Sequence, residues 1–268
     1  MAERTTVVVE RPRPEVAVFR FNRPEVLNAM SLEFVDELHS LLDEVAVDES
    51  TRVVVLTGEG RGFCSGHDLA SMASGHEGGG TVPGLLGVQA AFAAVVARIR
   101  SIPQPVIAAV NGPAAGGGLA MALAADTRVC DTAARFNAAF VRLGISGCDV
   151  GVSYLLPRVV GPTLAFEMML TGRLIDAEEA LASRLVLRVV PVGEVLDAAL
   201  AIADDICANA PFAIRMTKQV MTANFDAPNL EAAITLENQT QIVCACTQDH
   251  REAVDAFRAR RTPVFENR

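Results

Sequence analysis

The sequence predicts an α/β core followed by a helical region at the carboxyl end. Strand and helix signals alternate from the amino terminus to about Val190, whereas from Val195 onward the apolar spacing is helical throughout. A chain of 268 residues with 51% hydrophobic residues can bury a sizeable core. We therefore expect a core over residues 1–195, which carries the binding site, and a helical region over residues 196–268.

The first part of the chain predicts a hairpin, a helix and a buried strand. Thr5–Val9 and Glu15–Phe21 alternate around a proline-containing turn, which predicts a β-hairpin. Arg52–Thr57 is a β-branched run typical of a strand buried on both faces. Between them, Ser31 is a favourable N-cap for a helix. The apolar residues at helical spacing after it are Val35, Leu38, Leu42 and Val45.

The middle of the chain predicts a glycine-rich loop, Ser71–Gly84, and then a helix, Leu86–Ile99. The stretch Ser101–Ala125 carries no charge and is long enough to span a bilayer, but its prolines and glycines would break a spanning helix. We predict instead a buried strand, Val106–Val110, then a turn and a short helix that opens at Gly116–Gly118.

The last third predicts long helices. Asn209–Ala223 and Asn229–Ala259 have helical spacing with no strand signal between them. Before them, Asp176 and Glu179 are spaced as a capping box at the start of a further helix.

Composition narrows the possible partners. A net charge of −9 argues against a broad surface for nucleic acid or for an anionic membrane. Lys218 is the only lysine, so a local anion site would depend on arginines, backbone amides or helix ends. The six cysteines lack metal-site spacing and Met1–Glu10 lacks the apolar run of a signal peptide, so we expect reduced thiols, a cytoplasmic protein and no metal site.

In two segments, an apolar strand is followed by glycine and then by the start of a helix: Phe63–Leu69 and Asn111–Gly118. Glycine allows close backbone approach to a ligand, and the first turn of a helix leaves N–H groups without intrahelical acceptors. Two such N–H groups that converge on one oxygen would stabilise an enolate or another oxyanion. The alternative is a pair of ordinary tight turns. A dinucleotide site is not expected, because Met121 stands where the GxGxxG pattern requires a small residue.

Several motifs occur in an order and spacing typical of one superfamily. They are Asn22-Arg23-Pro24 with Leu27-Asn28-Ala29, Phe63-Cys64-Ser65-Gly66-His67-Asp68-Leu69, Pro105–Gly112 with the following triple glycine, Ala213–Lys218 and Ala256–Arg261. Through these motifs, nearly the whole chain resembles the crotonase superfamily of enoyl-CoA hydratases and isomerases.

The resemblance implies a crotonase fold of repeated ββα units with a C-terminal helical region that trimerises, often into a dimer of trimers. It implies an acyl-CoA thioester as substrate, with coenzyme A as part of that substrate and no tightly bound cofactor. By position, the oxyanion donors would be the backbone N–H groups of His67 and Gly117, and the His67 ring would be an acid or base or would simply pack in the wall. The substrate-binding positions carried over are Ala29, Ser65, Gly66, Leu69, Gly116, Ala120, Phe140 and Phe257.

Two positions depart from the hydratase pattern. Family hydratases use two glutamates to position and activate water, and those positions are Ala120 and Phe140 here. Neither side chain can transfer a proton, so the ordinary hydration mechanism is not expected.

One carboxylate remains in the same region. Gly144–Gly151 resembles the GxxxDVG segment of dienoyl-CoA isomerases with one residue inserted, and an aspartate there is the nucleophile of related dehalogenases. Asp149 is therefore the candidate catalytic acid or base. The alternative is that Asp149 caps a helix that begins at Val150.

These residues leave three functions open. The first is an enoyl-CoA hydratase/isomerase-type enzyme in which isomerisation is favoured over hydration. The second is a non-catalytic acyl-CoA binding protein, which the apolar residues Ala120 and Phe140 would suit. The third is an acyl-CoA thioester hydrolase that uses Asp149.

Overall fold

A parallel sheet with one antiparallel edge organises the fold. The computed structural model describes residues 5–70 and 77–268. The strands in these ranges are β1 (Val7–Arg13), β2 (Val16–Phe21), β3 (Val53–Gly58), β4 (Val106–Val110), β5 (Pro113–Ala115), β6 (Thr127–Asp131), β7 (Arg135–Asn137), β8 (Ile175–Asp176) and β9 (Arg188–Val190). One sheet has the order β1-β2-β3-β4-β6-β9, with only the β1–β2 pair antiparallel. The other has the order β5-β7-β8.

Helices cover both faces of the larger sheet. Those in the described residues are α1 (Leu32–Val47), α2 (Val82–Ser101), α3 (Gly117–Ala124), α4 (Val152–Val160), α5 (Pro162–Thr171), α6 (Ala177–Ala182), α7 (Val195–Cys207), α8 (Pro211–Asn224), α9 (Leu230–Ala245) and α10 (Gln248–Ala259). Single 3-10 turns occupy Pro24–Val26, Glu77–Gly80 and Ala139–Leu143.

Strand β3 shows how the sheet divides the core. Val54 and Leu56 belong to the larger apolar cluster, which includes residues of α1, α2 and α3. Val53 and Val55 point to the opposite face and pack with α7. Because side chains alternate along a strand, a strand that is covered on both faces must be apolar at every position. The β-branched run in the sequence predicted this double burial, and the structure confirms it.

The predicted N-terminal hairpin and helix are present, although the first strand covers Val7–Arg13 rather than Thr5–Val9. Strands β1 and β2 make the hairpin, and the Ser31 hydroxyl accepts a hydrogen bond from the Phe34 N–H (3.2 Å) at the start of α1. Only half of the predicted capping box forms: the Asp176 carboxylate caps α6 by accepting the N–H of Glu179 (2.9 Å), whereas the Glu179 carboxylate accepts from Arg173 (2.8 Å). The uncharged stretch also folds as expected, since β4, β5 and α3 are largely buried.

Two helix boundaries differ from the sequence predictions. Helix α2 begins at Val82 rather than Leu86, because Thr81 caps it by accepting the Gly84 N–H (3.2 Å) and a proline is tolerated in the first turn. The loop predicted over Ser71–Gly84 was therefore wrong at its end, and residues 71–76 lie outside the described ranges.

The helix predicted over Asn229–Ala259 is two helices. Helix α9 ends at Ala245, and Thr247 caps α10 by accepting the His250 N–H (3.1 Å). A threonine in a polar stretch gives only a weak boundary signal, so periodicity alone did not reveal this break.

Within the described residues, α2 alone is long and apolar enough to cross a membrane, with 20 residues and a mean hydropathy of 1.7 over its most apolar window. Length and composition are weak evidence, because core helices pass the same test. The C-terminal half of α2 enters the core with Phe92, Val95, Val96 and Ile99. Its N-terminal half lines a cavity, described below, so the apolar composition has a local explanation.

Candidate active site

The two glycine-bearing segments of the sequence meet at one place. Cys64 forms a parallel bridge with Ala114 of β5, in which the Cys64 N–H donates to the Pro113 carbonyl (3.1 Å) and the Ala115 N–H donates to the Cys64 carbonyl (3.0 Å). Strand β5 runs directly into α3. The first turn of α3 is therefore held against the backbone around Cys64.

Glycine is required where these backbones touch. A Cβ atom on Gly118 would lie 2.0 Å from the Cys64 carbonyl oxygen. Gly66 has φ +95°, and a Cβ there would lie 2.8 Å from the Ala115 carbonyl oxygen. Larger residues could not preserve this approach without moving one backbone. The glycines thus set the separation between the two segments.

The N-terminal motif braces the first segment from the other side. The Arg23 guanidinium donates to the Ala29 carbonyl (2.5 Å) and to the Asp68 carboxylate (2.9 Å). Asn28 has φ 56° and donates from its side-chain amide to the Gly62 carbonyl (2.8 Å). A buried residue with positive φ needs such compensating bonds, since that region is unfavourable for side chains other than glycine. This motif therefore fixes the backbone before and after the candidate oxyanion donor His67.

His67 and Gly117, the predicted oxyanion donors, both lie on the wall of one cavity. Gly117 is the first residue of α3, so its N–H has no acceptor within the helix. His67 is bridged to Met30 through the Gly66 carbonyl and the Asp68 N–H, at 2.8 and 3.0 Å. In such a parallel bridge the N–H of the central residue, here His67, points away from its bridge partner Met30. The centroids of the His67 and Phe92 rings are 4.0 Å apart, a contact consistent with packing of the His67 side chain in the cavity wall.

The cavity has a volume of about 760 Å³, within the range of small-molecule sites. The predicted site residues that line it are Ala29, Ser65, Gly66, His67, Leu69, Gly116, Gly117, Phe140 and Asp149. Two predicted residues do not line it within the single chain, and their contact with substrate stays a prediction. Ala120 is fully buried inside α3, and Phe257 is 85% exposed on α10.

Phe140 occupies the space beside the glycine run. A Cβ atom on Gly116 would lie 3.4 Å from the Phe140 ring, so the ring is packed against the start of α3. Phe140 is itself buried and lines the cavity. The two hydratase glutamate positions therefore contribute an aromatic ring to the wall and a methyl group behind it.

Asp149 enters the cavity from the other side. One carboxylate oxygen, Oδ1, accepts hydrogen bonds from the side-chain amide of Gln89 and from the Val150 N–H (2.8 Å). Helix α4 begins at Val152 with Gly151 as its N-cap residue, so the expected helix start at Val150 was wrong, and the Asp149 side chain does not serve as the N-cap. The carboxylate is half-buried, and its Oδ2 receives no hydrogen bond from the described residues.

Gln89 was missed by the sequence reasoning. It projects from α2, 60 positions before Asp149 in the chain, and also lines the cavity. A signal was present, since Gln89 is the only polar side chain between Thr81 and Arg98. A single amide in an otherwise apolar helix marks the side of that helix that meets water or a polar partner.

Two other ionisable groups near the turn, Asp68 and Cys64, are not available for chemistry. Asp68 is buried and held by Arg23, and its Oδ1 also accepts the Ala70 N–H (3.1 Å). Burial raises the pKa of the Cys64 thiol to about 12, so this cysteine stays protonated at neutral pH and is not a nucleophile. Asp149 is thus the carboxylate of the described wall that is available for chemistry.

The fold and this cavity define a crotonase-fold enzyme, and the comparisons with known proteins agree. The family model for enoyl-CoA hydratase/isomerase matches residues 12–268. The chain therefore belongs to the enoyl-CoA hydratase/isomerase family, an enzyme family that acts on coenzyme A thioesters.

The names of individual relatives describe two kinds of reaction. The chain is 44% identical to the probable enoyl-CoA hydratase EchA12 of Mycobacterium tuberculosis, over 97% of this chain and 92% of that protein. It is 35% identical to the 1,2-epoxyphenylacetyl-CoA isomerase of Escherichia coli, over 93% of this chain and 94% of that protein. The crystal structure of an enoyl-CoA hydratase from Bacillus anthracis matches with a TM-score of 0.93 and 32% identity, over 98% of this chain and 100% of that one. Family membership alone therefore leaves the reaction type to be argued from the site.

Proposed function

We propose that this enzyme transfers a proton between carbon atoms of an acyl-CoA, so that double-bond isomerisation is favoured over hydration. The observation that carries the proposal is the cavity wall itself. It combines the two candidate oxyanion donors with one available carboxylate, while Ala120 and Phe140 stand at the positions where hydratases activate water.

The oxyanion donors would act on the thioester carbonyl. When a C–H bond beside the thioester breaks, its electron pair moves onto the carbonyl oxygen as an enolate. The N–H groups of His67 and Gly117 would hold that oxygen, and the positive end of the α3 dipole favours the same charge. Preorganised donors of this kind are worth roughly a hundredfold in rate each.

Asp149 would move the proton. Its Oδ1 is held by Gln89 and Val150, which leaves Oδ2 for the substrate. For a 3-enoyl thioester, Oδ2 removes a proton from the α-carbon and later returns it to the γ-carbon. The double bond shifts into conjugation with the thioester, and the carboxylate ends in its starting state.

Hydration needs more than this site offers. A water molecule must be oriented and deprotonated while the α-carbon receives a proton, which two carboxylates do in family hydratases. The Phe140 ring fills one of those positions with apolar surface, which offers no hydrogen-bond partner to order a water molecule there.

Deuterium exchange tests the proposal. A mixed pool of saturated and enoyl-CoA thioesters is incubated in D₂O with wild-type enzyme, Asp149→Asn or Asp204→Asn, and read by mass spectrometry. We expect exchange at the α and γ carbons in the wild type and in Asp204→Asn, an exposed control remote from the cavity. In Asp149→Asn exchange should fall by about a hundredfold or more.

Each other outcome has a definite meaning. Exchange that persists in Asp149→Asn would refute Asp149 as the base. Release of free coenzyme A without exchange would instead indicate a thioester hydrolase. Hydration of the enoyl substrates at a comparable rate would refute the preference for isomerisation.

We also propose that the active form is a homotrimer or a dimer of trimers in the cytoplasm, with coenzyme A bound only as part of the substrate. Helix α9 has no buried residue, although it carries Ile242 and Val243, which are 68% and 53% exposed. Exposed apolar residues on a helix without buried residues favour a contact with another copy of the chain. All six cysteines are free, which is usual in a reducing compartment.

A further inference from the structure

A second cavity of about 350 Å³ lies apart from the first and shares no lining residue with it. It is enclosed by the carboxyl ends of α2 and α3 together with α4, α7 and α8. The apolar part of its wall consists of Pro105, Leu123, Ala125, Leu155, Val159, Ile206, Ile214, Met221 and Phe225. Such a wall suits a hydrocarbon group.

The charges in this wall are mostly positive. The cations that line it are Arg100, Arg128, Arg158 and Lys218, against one carboxylate, Asp126. This balance stands out in a chain with a net charge of −9. A cation cluster beside apolar surface creates a local positive potential that attracts anions despite the overall charge.

Three of the cations already have partners. Lys218, the only lysine, contacts Asp126 (2.9 Å) and donates to the Gln104 carbonyl (2.8 Å). Arg128 donates to the carbonyls of Ala125 and Leu185 (both 2.8 Å), and Arg158 pairs with Asp226 (3.2 Å). Asp126 is hydrogen-bonded to Lys218, and its charge also stabilises the Arg128 guanidinium, whose hydrogen bonds go to carbonyl oxygens.

Arg100 is different. It is half-buried at the end of α2, and it makes no hydrogen bond or ion pair with any residue in the described ranges. Its charge also acts on its neighbours. Burial lowers the pKa of Arg128 to about 10 and lowers that of Lys218, and repulsion from Arg100 works in the same direction. A partly desolvated cation beside the half-buried Arg128 and the buried Lys218 is unfavourable unless an anion joins them.

We propose that this cavity is a binding site for a small amphipathic anion, namely a carboxylate with a short hydrocarbon chain. The Arg100 guanidinium would take the carboxylate through two parallel hydrogen bonds, and the apolar wall would take the chain. The volume is at the lower end of the range for small-molecule sites, which favours a short chain. The site is independent of the reaction proposed for the first cavity.

Isothermal titration calorimetry with octanoate tests the proposal on the full-length protein. Inorganic phosphate supplies charge without a chain, and octanol supplies a chain without charge. We expect octanoate to bind and both other probes to bind at least tenfold more weakly. Arg100→Met should weaken octanoate binding about tenfold or more, because it removes a charge-assisted pair. Thr222→Trp, which fills the cavity from α8, should do the same.

Matched variants separate this site from alternatives. Arg98→Met removes a charge from the same helix but on the side that pairs with Asp43, and it should bind octanoate as the wild type does. Asp149→Asn should also leave binding unchanged, since it alters only the first cavity. Octanoate binding that survives both Arg100→Met and Thr222→Trp would overturn the proposal. A wild type that binds no octanoate would overturn it as well, and a changed sedimentation coefficient in Arg100→Met would then indicate that Arg100 faces another copy of the chain.

Discussion

At the scale of single residues, Gln89 is the clearest test of how the candidate base is held. Its side-chain amide donates to Asp149 Oδ1 from a different helix. We expect Gln89→Leu to lower kcat by about ten- to a hundredfold, because a misplaced carboxylate meets the substrate in poor geometry. KM should change much less. Steady-state kinetics measure both.

The control for Gln89 is Gln219→Leu, an exposed glutamine on α8 outside the first cavity. It should leave kcat unchanged. Gln89→Asn, which keeps an amide on a shorter side chain, should recover part of the activity. Full activity in Gln89→Leu would show that Asp149 needs no support from α2.

A second residue-scale prediction concerns pH. Burial alone would raise the pKa of Glu37, but hydrogen bonds from the Thr6 hydroxyl and from the N–H groups of Thr5, Thr6 and Val7 outweigh it and hold the pKa below its ordinary value of 4.5. The folded state therefore binds the proton more weakly than the unfolded state. The resulting stabilisation is present above about pH 4.5 and is lost as the pH falls through the lowered value.

Glu37→Gln should accordingly be less stable than the wild type at pH 7, by about 1 kcal/mol after allowance for partial exposure. The difference should shrink as the pH falls below 4.5. Urea unfolding at a series of pH values measures it. Glu49→Gln, at an exposed position just beyond the same helix, is the control. A gap that stays constant with pH would contradict the assignment.

At the scale of elements, the packing of α3 on the turn around Cys64 depends on the absence of a side chain at Gly118. Gly118→Ala would place a Cβ 2.0 Å from the Cys64 carbonyl oxygen. We expect a loss of about 1–3 kcal/mol from overpacking, together with a large loss of activity because Gly117 moves with the helix. Thermal unfolding and the deuterium-exchange assay measure the two effects.

Gly87→Ala is the matched control, since Gly87 lies inside α2 with nothing within 4 Å of the added Cβ. Alanine should stabilise the helix there by about 0.5–1 kcal/mol. Equal effects of the two substitutions would refute a packing requirement at Gly118.

Elements with strong local signals could be predicted from the sequence, whereas helix boundaries that depend on one common residue could not. The β-branched run of β3 and the cap of α1 at Ser31 are local features, and both predictions hold. The start of α2 and the break between α9 and α10 depend on single threonine caps, Thr81 and Thr247. A threonine is common in many contexts, so it marks a boundary only when its acceptor geometry is known.

The site divides in the same way. Glycine runs and the family motifs predicted the residues around His67 and Gly117 that line the cavity. The contact of Gln89 with Asp149 joins positions 60 residues apart and depends on how α2 crosses the sheet. Phe257 lies in a family motif, but it is exposed and does not line the cavity of its own chain. A motif match therefore does not give the position of a side chain relative to the site.

At the scale of the whole molecule, the exposed apolar faces of the last helices predict assembly. We expect sedimentation equilibrium to give a mass of three or six times that of the 28.4 kDa chain. Ile242→Asp should shift the enzyme toward smaller species, because it places a charge in the proposed interface. Glu237→Asp, on the same helix, should leave the mass unchanged. A monomeric wild type would refute the proposed trimer.

The brace formed by Arg23 and Asn28 has a consequence for how such chains are classified. These two side chains bond to backbone carbonyls and to Asp68, and the structure gives them no role in proton transfer. The most recognisable motif residues of the sequence thus indicate the shared backbone scaffold and not the reaction. A search keyed to them would collect proteins that share a scaffold, whatever reaction each performs. Sorting those proteins by chemistry would require the less conspicuous positions 89, 120, 140 and 149.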